Sequence, residues 1–272
     1  MTYRTQSRYG LAKEPFTKQV PVEELFDHTA AQAARGRLKA AIEGHASAVL
    51  SGESGTGKTF VFRALEAQLP QGHYRVTYIH NAHVNLRDFY RQLSAALGLE
   101  PRATPAALFR MVSHHIEELA TTQRLRPLLV LDEAHLLPIS VLSHLHILLN
   151  FHRDSSPLLS LLLLGLPELR ERLTRNILNS LAARLPVRVV LNPLGKDRVC
   201  AYLQHRMRKA GASQEVFSED AALMIAEATG GIMRKIDVLA STALEVAAQG
   251  KSSLVDAAVV QEAVNLCAEA LV

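Results

Sequence analysis

The chain has 272 residues, 48% of them hydrophobic, and carries a net charge of +4 with a pI near 9.2. That suits one large domain, or a core with a smaller appendage, and the mild net charge assigns no partner by itself. No apolar run reaches the roughly 18 residues that a membrane span needs, the longest, 158–166, being interrupted by Ser160. With no charged-then-apolar leader at the start, the expectation is a cytoplasmic protein without a membrane partner.

Taken in order, Tyr9-Gly10-Leu11-Ala12-Lys13-Glu14-Pro15-Phe16 reads as extended chain, because its Gly and Pro interrupt any helix. A helix is expected over 29–43. An apolar strand over 46–50 breaks into a glycine-rich loop, followed by a helix over 59–68. Residues 74–79 alternate as a strand, and 85–97 place Leu86, Phe89, Leu93 and Leu97 on one helical face, with Gly98 as the stop. Thr104-Pro105 is an N-cap followed by proline at the first position of a helix over 105–121. Residues 128–131 form an apolar strand of the kind buried on both faces, and it ends in Asp132-Glu133.

A helix over 140–152, a strand over 158–164, a helix opened by Gly165-Leu166-Pro167-Glu168-Leu169 and a strand over 186–191 continue the alternation. Such alternation predicts an α/β, three-layer domain with a parallel sheet of about five strands. Beyond Pro193 only helices are expected, at about 196–210, 218–227, 231–248 and 254–271. Three regions follow: an N-terminal extension with the first helix (1–45), an α/β nucleotide-binding core (46–193) and a small all-helical domain (194–272). Cys200 and Cys267 fall in periodic helical contexts and read as core filling.

The loop Gly52-Glu53-Ser54-Gly55-Thr56-Gly57-Lys58-Thr59 completes the phosphate-loop pattern G-x-x-x-x-G-K-[ST]. Successive backbone N–H groups can wrap a polyphosphate only if no side chain blocks them and glycine supplies positive φ. The following helix adds its N-terminal dipole. Lys58 would reach the β- and γ-phosphates of ATP, and the Thr59 hydroxyl would ligate Mg²⁺. In a parallel sheet the loops after successive strands emerge at one edge, so Asp132 would share the Mg²⁺ with Thr59, while Glu133 would activate the attacking water.

From Arg184 to Gly211 seven basic residues stand against one acid, a local +6; from Ala212 onward nine acids stand against three basic residues, a local −6. This fits a nucleic-acid-facing segment, head-to-tail packing of subunits, or an ordinary solvated face. His114-His115, His144 with His146, and His152 have spacings that make no local chelate on a helix. Asp132-Glu133-Ala134-His135 spells the box of certain helicases, but those need two recombinase-like domains.

Together these features resemble an AAA+ ATPase: a P-loop NTPase core with a small helical lid. Tyr9-Gly10-Leu11 with Glu14-Pro15-Phe16, Gly165-x-Pro167-Glu168-Leu169, Leu181-Ala182-Ala183-Arg184-Leu185 leading to Leu191-x-Pro193-Leu194, and Gly230-Gly231-x-x-Arg234 are similar to one branch of it. That branch contains the ExeA-type ATPases and the transposition ATPases of the TniB, TnsC and Mu B kind. The resemblance makes Arg184 an arginine finger toward a neighbouring subunit's γ-phosphate and Arg234 the lid arginine, sensor 2. It also places sensor 1 at residue 166, where a leucine cannot donate a hydrogen bond; slow turnover is expected.

The function implied is an ATP-dependent regulator of transposition. It would assemble head to tail, as a ring or helical filament, on duplex DNA and recruit a transposase, with or without a target-selection protein. Resemblance puts DNA against Arg87, Arg91, Arg102 and Thr104, with sequence-tolerant, salt-sensitive contacts. The alternatives are a secretion-type assembly ATPase, whose relatives continue into a membrane span and a wall-binding domain, and an ATP-binding scaffold or switch without a DNA role.

Overall fold

The computed structural model describes residues 3–80, 84–100 and 104–271. The chain divides into two compact units, one comprising Met1–Thr29, Glu53–Gly57 and Asn192–Val272, the other Ala30–Gly52 and Lys58–Leu191.

The second is a sheet unit. Its strands are β1 (Ala48–Ser51), β2 (Tyr74–Ile79), β3 (Arg126–Leu131), β4 (Ser160–Gly165) and β5 (Val187–Val190), all parallel, in the order β2-β3-β4-β1-β5. Along the strands, side chains alternate between two apolar faces. Val49, Leu129, Leu131, Leu161 and Leu163 point into one core, while Ala48, Leu50, Leu128, Val130, Leu162 and Leu164 point into the other. Because both faces are covered, β1 and β4 are buried at every position and read as unbroken apolar runs.

The first core is covered by α4 (Leu86–Ala96), α5 (Pro105–Thr121), α6 (Ile139–Leu148), α7 (Pro167–Arg172) and α8 (Asn179–Ala183). Most of α2 (Thr29–Glu43) and α3 (Lys58–Glu66) cover the second. Local chemistry sets the starts: Asn85 accepts from the Asp88 N–H at 3.0 Å, and Thr104 from the Ala107 N–H at 3.2 Å. The helix expected over 140–152 is shorter. It stops at Leu148 because Leu149 and Phe151 turn inward and are buried, and His152, Arg153 and Asp154 then run left-handed, at φ 49°, 59° and 69°.

The other unit is helical: α1 (Tyr3–Arg8), a short helix with no counterpart in the sequence expectations, with α9 (Lys196–Ala210), α10 (Glu219–Thr229), α11 (Met233–Gln249), α12 (Ala257–Leu266) and α13 (Ala268–Leu271). The single helix expected over 254–271 is two, because Val255 bridges to Phe217, Asp256 caps a new start, and the chain breaks at Cys267. Tyr9 and Leu11 join the core of α9–α12. Buried Arg206 ties this segment down: its Nε donates to the Pro15 carbonyl at 2.6 Å and Nη2 to the Thr17 carbonyl at 2.7 Å. The Tyr202 hydroxyl donates to Asp237 at 2.6 Å. Burial raises the Asp237 carboxyl to about 6, against the opposing pull of Arg206 and the Tyr202 hydrogen bond. Gly231 is sterically required, since a Cβ there would lie 2.0 Å from the Leu194 carbonyl oxygen.

Candidate nucleotide site

In the sheet unit, Gly52 continues from β1 and Lys58 opens α3, so the phosphate-loop pattern spans a strand-to-helix turn. Lys58 is buried and its Nζ donates to the Gly52 carbonyl at 2.8 Å, folding the ammonium back over the turn. Thr59 donates its hydroxyl to Asp132 Oδ2 at 3.2 Å, although 73 residues separate them. A hydroxyl and a carboxylate are hard oxygen donors of the kind Mg²⁺ prefers, so the residues present fit that ion.

Asp132 is only 4% exposed and fully engaged. Its Oδ1 takes the Glu133 N–H at 2.8 Å, and Oδ2 takes the Tyr78 hydroxyl at 2.5 Å as well as Thr59. Tyr78, next to last in β2, stacks on Phe62 of α3 with ring centroids 5.6 Å apart. Burial pushes its hydroxyl well above the usual tyrosine range, reinforced by the bond to Asp132, so it remains a donor. Nothing in the sequence pattern singled out Tyr78; its only trace is a hydroxyl near the carboxyl end of a strand paired with β3. Glu133 adopts φ 52°, a left-handed turn after the strand, and its side chain is 39% exposed, unlike its buried neighbour.

The remainder of the loop, Glu53–Gly57, belongs to the helical unit. Thr56 closes a tight turn there, its hydroxyl donating to the Glu53 carbonyl at 2.9 Å. Gly55 has φ +82°, and a Cβ on it would lie 2.6 Å from the Arg234 Cβ and 3.0 Å from Ile232 Cγ2. Only glycine fits this cradle. Arg234, exposed in the first turn of α11, donates its N–H to the Gly55 carbonyl at 3.2 Å and Nη1 to the Ser54 hydroxyl at 3.2 Å. Within one unit, therefore, the expected lid arginine is in contact with loop residues 54 and 55.

Arg184 lies elsewhere in the sheet unit. It ends α8 just before β5, at the amino edge of the strands, whereas Gly52 and Asp132 follow the carboxyl ends of β1 and β3. It lines a cavity of about 370 Å³ with His45, Ser47 and Asp154, two of which precede β1. Its Nη2 donates to Asp154 Oδ2 at 2.6 Å and Nη1 to the Ser180 carbonyl at 3.1 Å, while its buried Nε has no partner among the described residues.

Arg87 and Arg91 are both exposed on α4, one turn apart. Thr104 is exposed, but its side-chain oxygen is occupied as the N-cap of α5. Arg102 lies outside the described residues. The basic run 184–211 does not present one charged face, since Arg206 is buried, Lys196 pairs with Glu227 at 2.7 Å, and Arg184 pairs with Asp154. Of the histidines, His144 Nδ1 meets the Tyr90 hydroxyl at 2.8 Å and His152 Nε2 meets Glu117 at 2.8 Å. Among the described residues no helix is long and apolar enough to cross a membrane.

Comparison with known proteins agrees with this geometry. Residues 41–173 match the family model described as an AAA domain. Over 253 residues the chain is 33% identical to general secretion pathway protein A of Aeromonas hydrophila, covering 91% of this chain but 46% of that protein, so it spans about half the relative's length. Among solved structures, Cdc6p of Pyrobaculum aerophilum aligns with a TM-score of 0.71 at 20% identity, covering 90% of this chain and 68% of that one. The Aeropyrum pernix ORC1 protein, solved in complex with DNA, aligns at 0.66 and 23% identity over 94% and 69% of the two chains. At those identities the structural matches speak for the fold. With its five-stranded parallel sheet, its phosphate loop after β1 and its acidic pair after β3, the chain has the P-loop NTPase fold of the AAA+ type, and residues 41–173 match an AAA domain.

Proposed function

We propose that the chain binds ATP with Mg²⁺, hydrolyses it slowly to ADP and phosphate, and does so in a head-to-tail assembly on duplex DNA as a regulator of transposition. Backbone groups of 52–57 and Lys58 hold the phosphates, Thr59 and Asp132 hold the metal, and Glu133 orients the attacking water. Bound there, Mg²⁺ would neutralise charge on the phosphate oxygens. Turnover is slow because the Leu166 side chain donates nothing to the γ-phosphate.

The observation that carries the assembly is the position of Arg184. β1 pairs with β5 so that Ala48 faces Val187 and Ser51 faces Val190, and Arg184 precedes that register. Three strand steps of about 3.3 Å put it at least about 10 Å from the level at which the phosphate loop leaves β1. A guanidinium at the amino edge serves a neighbour's nucleotide rather than its own. DNA as the substrate of the assembly is supported by the exposed Arg87–Arg91 pair, and by the likeness in fold to an ORC1 protein solved with DNA.

A secretion-type assembly ATPase is the second reading, and the 33% identity to general secretion pathway protein A favours it. Electron microscopy and filter retention of the purified chain, with ATP and with or without duplex DNA, separate the two. ATP-dependent retention with ordered oligomers on DNA is the expected result, and Arg87→Ala with Arg91→Ala should flatten the salt dependence by about two phosphate contacts. Assembly with no DNA retention favours the secretion reading. Monomers in every condition overturn the head-to-tail assignment.

A further inference from the structure

His135 belongs to a sequence motif for which the proposed site has as yet no use, and its surroundings are built. It sits in a short 3₁₀ turn, Ala134–Leu136, directly after Glu133. Its side chain is only 10% exposed. The turn is held from two sides. Arg172, on α7, donates Nη1 to the His135 carbonyl and Nη2 to the Leu137 carbonyl, the latter at 2.5 Å. At Gly165, the last residue of β4, a Cβ would lie 3.3 Å from the His135 backbone nitrogen and 2.9 Å from Leu169 Cδ2, so the bare glycine lets the turn pack against the strand end.

The ring is thereby placed between two groups that matter. His135 Nδ1 faces the Leu166 backbone N–H at 3.4 Å and Glu133 Oε2 at 3.5 Å. One nitrogen serves one of them at a time. With its proton on Nε2, Nδ1 accepts from Leu166 and leaves the Glu133 carboxylate unheld; with the proton on Nδ1, it donates to Glu133 and releases the Leu166 N–H. Leu166 is the position whose side chain has no polar group, yet its peptide N–H is in the network.

From this geometry we infer that His135 is a positioning residue for ATP hydrolysis: its imidazole couples the orientation of Glu133 to the backbone at residue 166, a contact the Leu166 side chain cannot make. The inference rests on the assignment of Glu133 as the residue that orients water. In His135→Phe the new ring would fill the same space but lose both contacts, whereas the amide of His135→Asn keeps a short acceptor and donor.

The test is steady-state hydrolysis by the full chain with Mg·ATP, alongside nucleotide affinity by calorimetry and melting temperature, for wild type, Glu133→Gln, His135→Phe, His135→Ala and His135→Asn. His135→Phe and His135→Ala are expected to lower kcat by about 10- to 100-fold, the scale of a misplaced reacting group, with KM and ATP affinity within about twofold of wild type. His135→Asn should recover a measurable part of the loss. If Glu133→Gln abolishes hydrolysis while His135→Ala and His135→Phe keep wild-type kcat, the inference is overturned and the Glu133 assignment stands. Loss of ATP affinity together with kcat in all three His135 variants would also overturn it, as the residue would then be holding the site together. If Glu133→Gln hydrolyses like wild type, the underlying assignment itself fails, and His135 with it. Should the alanine variant not fold, the phenylalanine and asparagine variants decide, since phenylalanine fills the ring's space and asparagine keeps a polar group there.

Discussion

Replacing Asp237 with asparagine gives a stability difference whose pH dependence follows from the structure. Burial holds the carboxyl at about 6 in the folded chain, against 3.8 unperturbed. The folded chain therefore keeps this proton where the unfolded chain has lost it, and stability falls as pH rises between those two values, then levels off. At 1.36 kcal/mol per unit, the shift corresponds to about 3 kcal/mol across the window. The amide introduced by Asp237→Asn would not titrate, yet it can still accept the Tyr202 hydroxyl. The stability of wild type minus that of Asp237→Asn should thus drop by about 3 kcal/mol from about pH 3.5 to about pH 7, with all other carboxylates cancelling in the difference. Urea unfolding followed by far-ultraviolet circular dichroism is the suitable assay, since the chain has no tryptophan. A difference that stays flat, or rises with pH, would refute the claim that folding raises the affinity of this part-buried carboxyl for its proton.

Arg184→Ala should lower assembled hydrolysis by about 10³-fold or more, and mixing it with Glu133→Gln should restore activity, because the second variant lends its guanidinium to the first one's intact site; mixtures no more active than either alone would show that Arg184 does not act across subunits. Gly55→Ala should abolish ATP affinity measured by calorimetry: the left-handed φ costs about 1–2 kcal/mol for alanine, and the new Cβ would displace Arg234, whose own Cβ is 2.6 Å away. Leu166→Gln, which supplies a donor beside the γ-phosphate, should raise the hydrolysis rate several-fold, and an unchanged rate would remove the stated reason for slow turnover.

Much of the sheet unit was legible because burial on two faces leaves a plain record. Leu128–Leu131 and the apolar run ending at Gly165 could be nothing but interior strands, and Thr104-Pro105 wrote its own helix start. The phosphate loop and Asp132-Glu133 were equally plain, since their chemistry fixes both residue type and position. What escaped was set by tertiary contact. Tyr78 matters because β2 lies beside β3, which no local pattern states. Arg206 looked like one more cation in a basic run, and only the folded N-terminal segment gives it the Pro15 and Thr17 carbonyls as partners. The early end of α6 likewise depends on where Leu149 and Phe151 find their core.

The anchoring of Pro15 and Thr17 by Arg206 joins parts of the chain far apart in sequence: 191 residues separate Arg206 from Pro15. During synthesis the residues before α2 emerge long before α9, while in between β2, β3 and β4 of the sheet unit can pair in turn as they come and β1 pairs once β4 is out. The N-terminal segment must therefore wait, unpaired and with Tyr9, Leu11 and Phe16 uncovered, until the last helices leave the ribosome. The helical unit closes last, and a chain cut anywhere before α9 leaves its beginning without the helices it packs against.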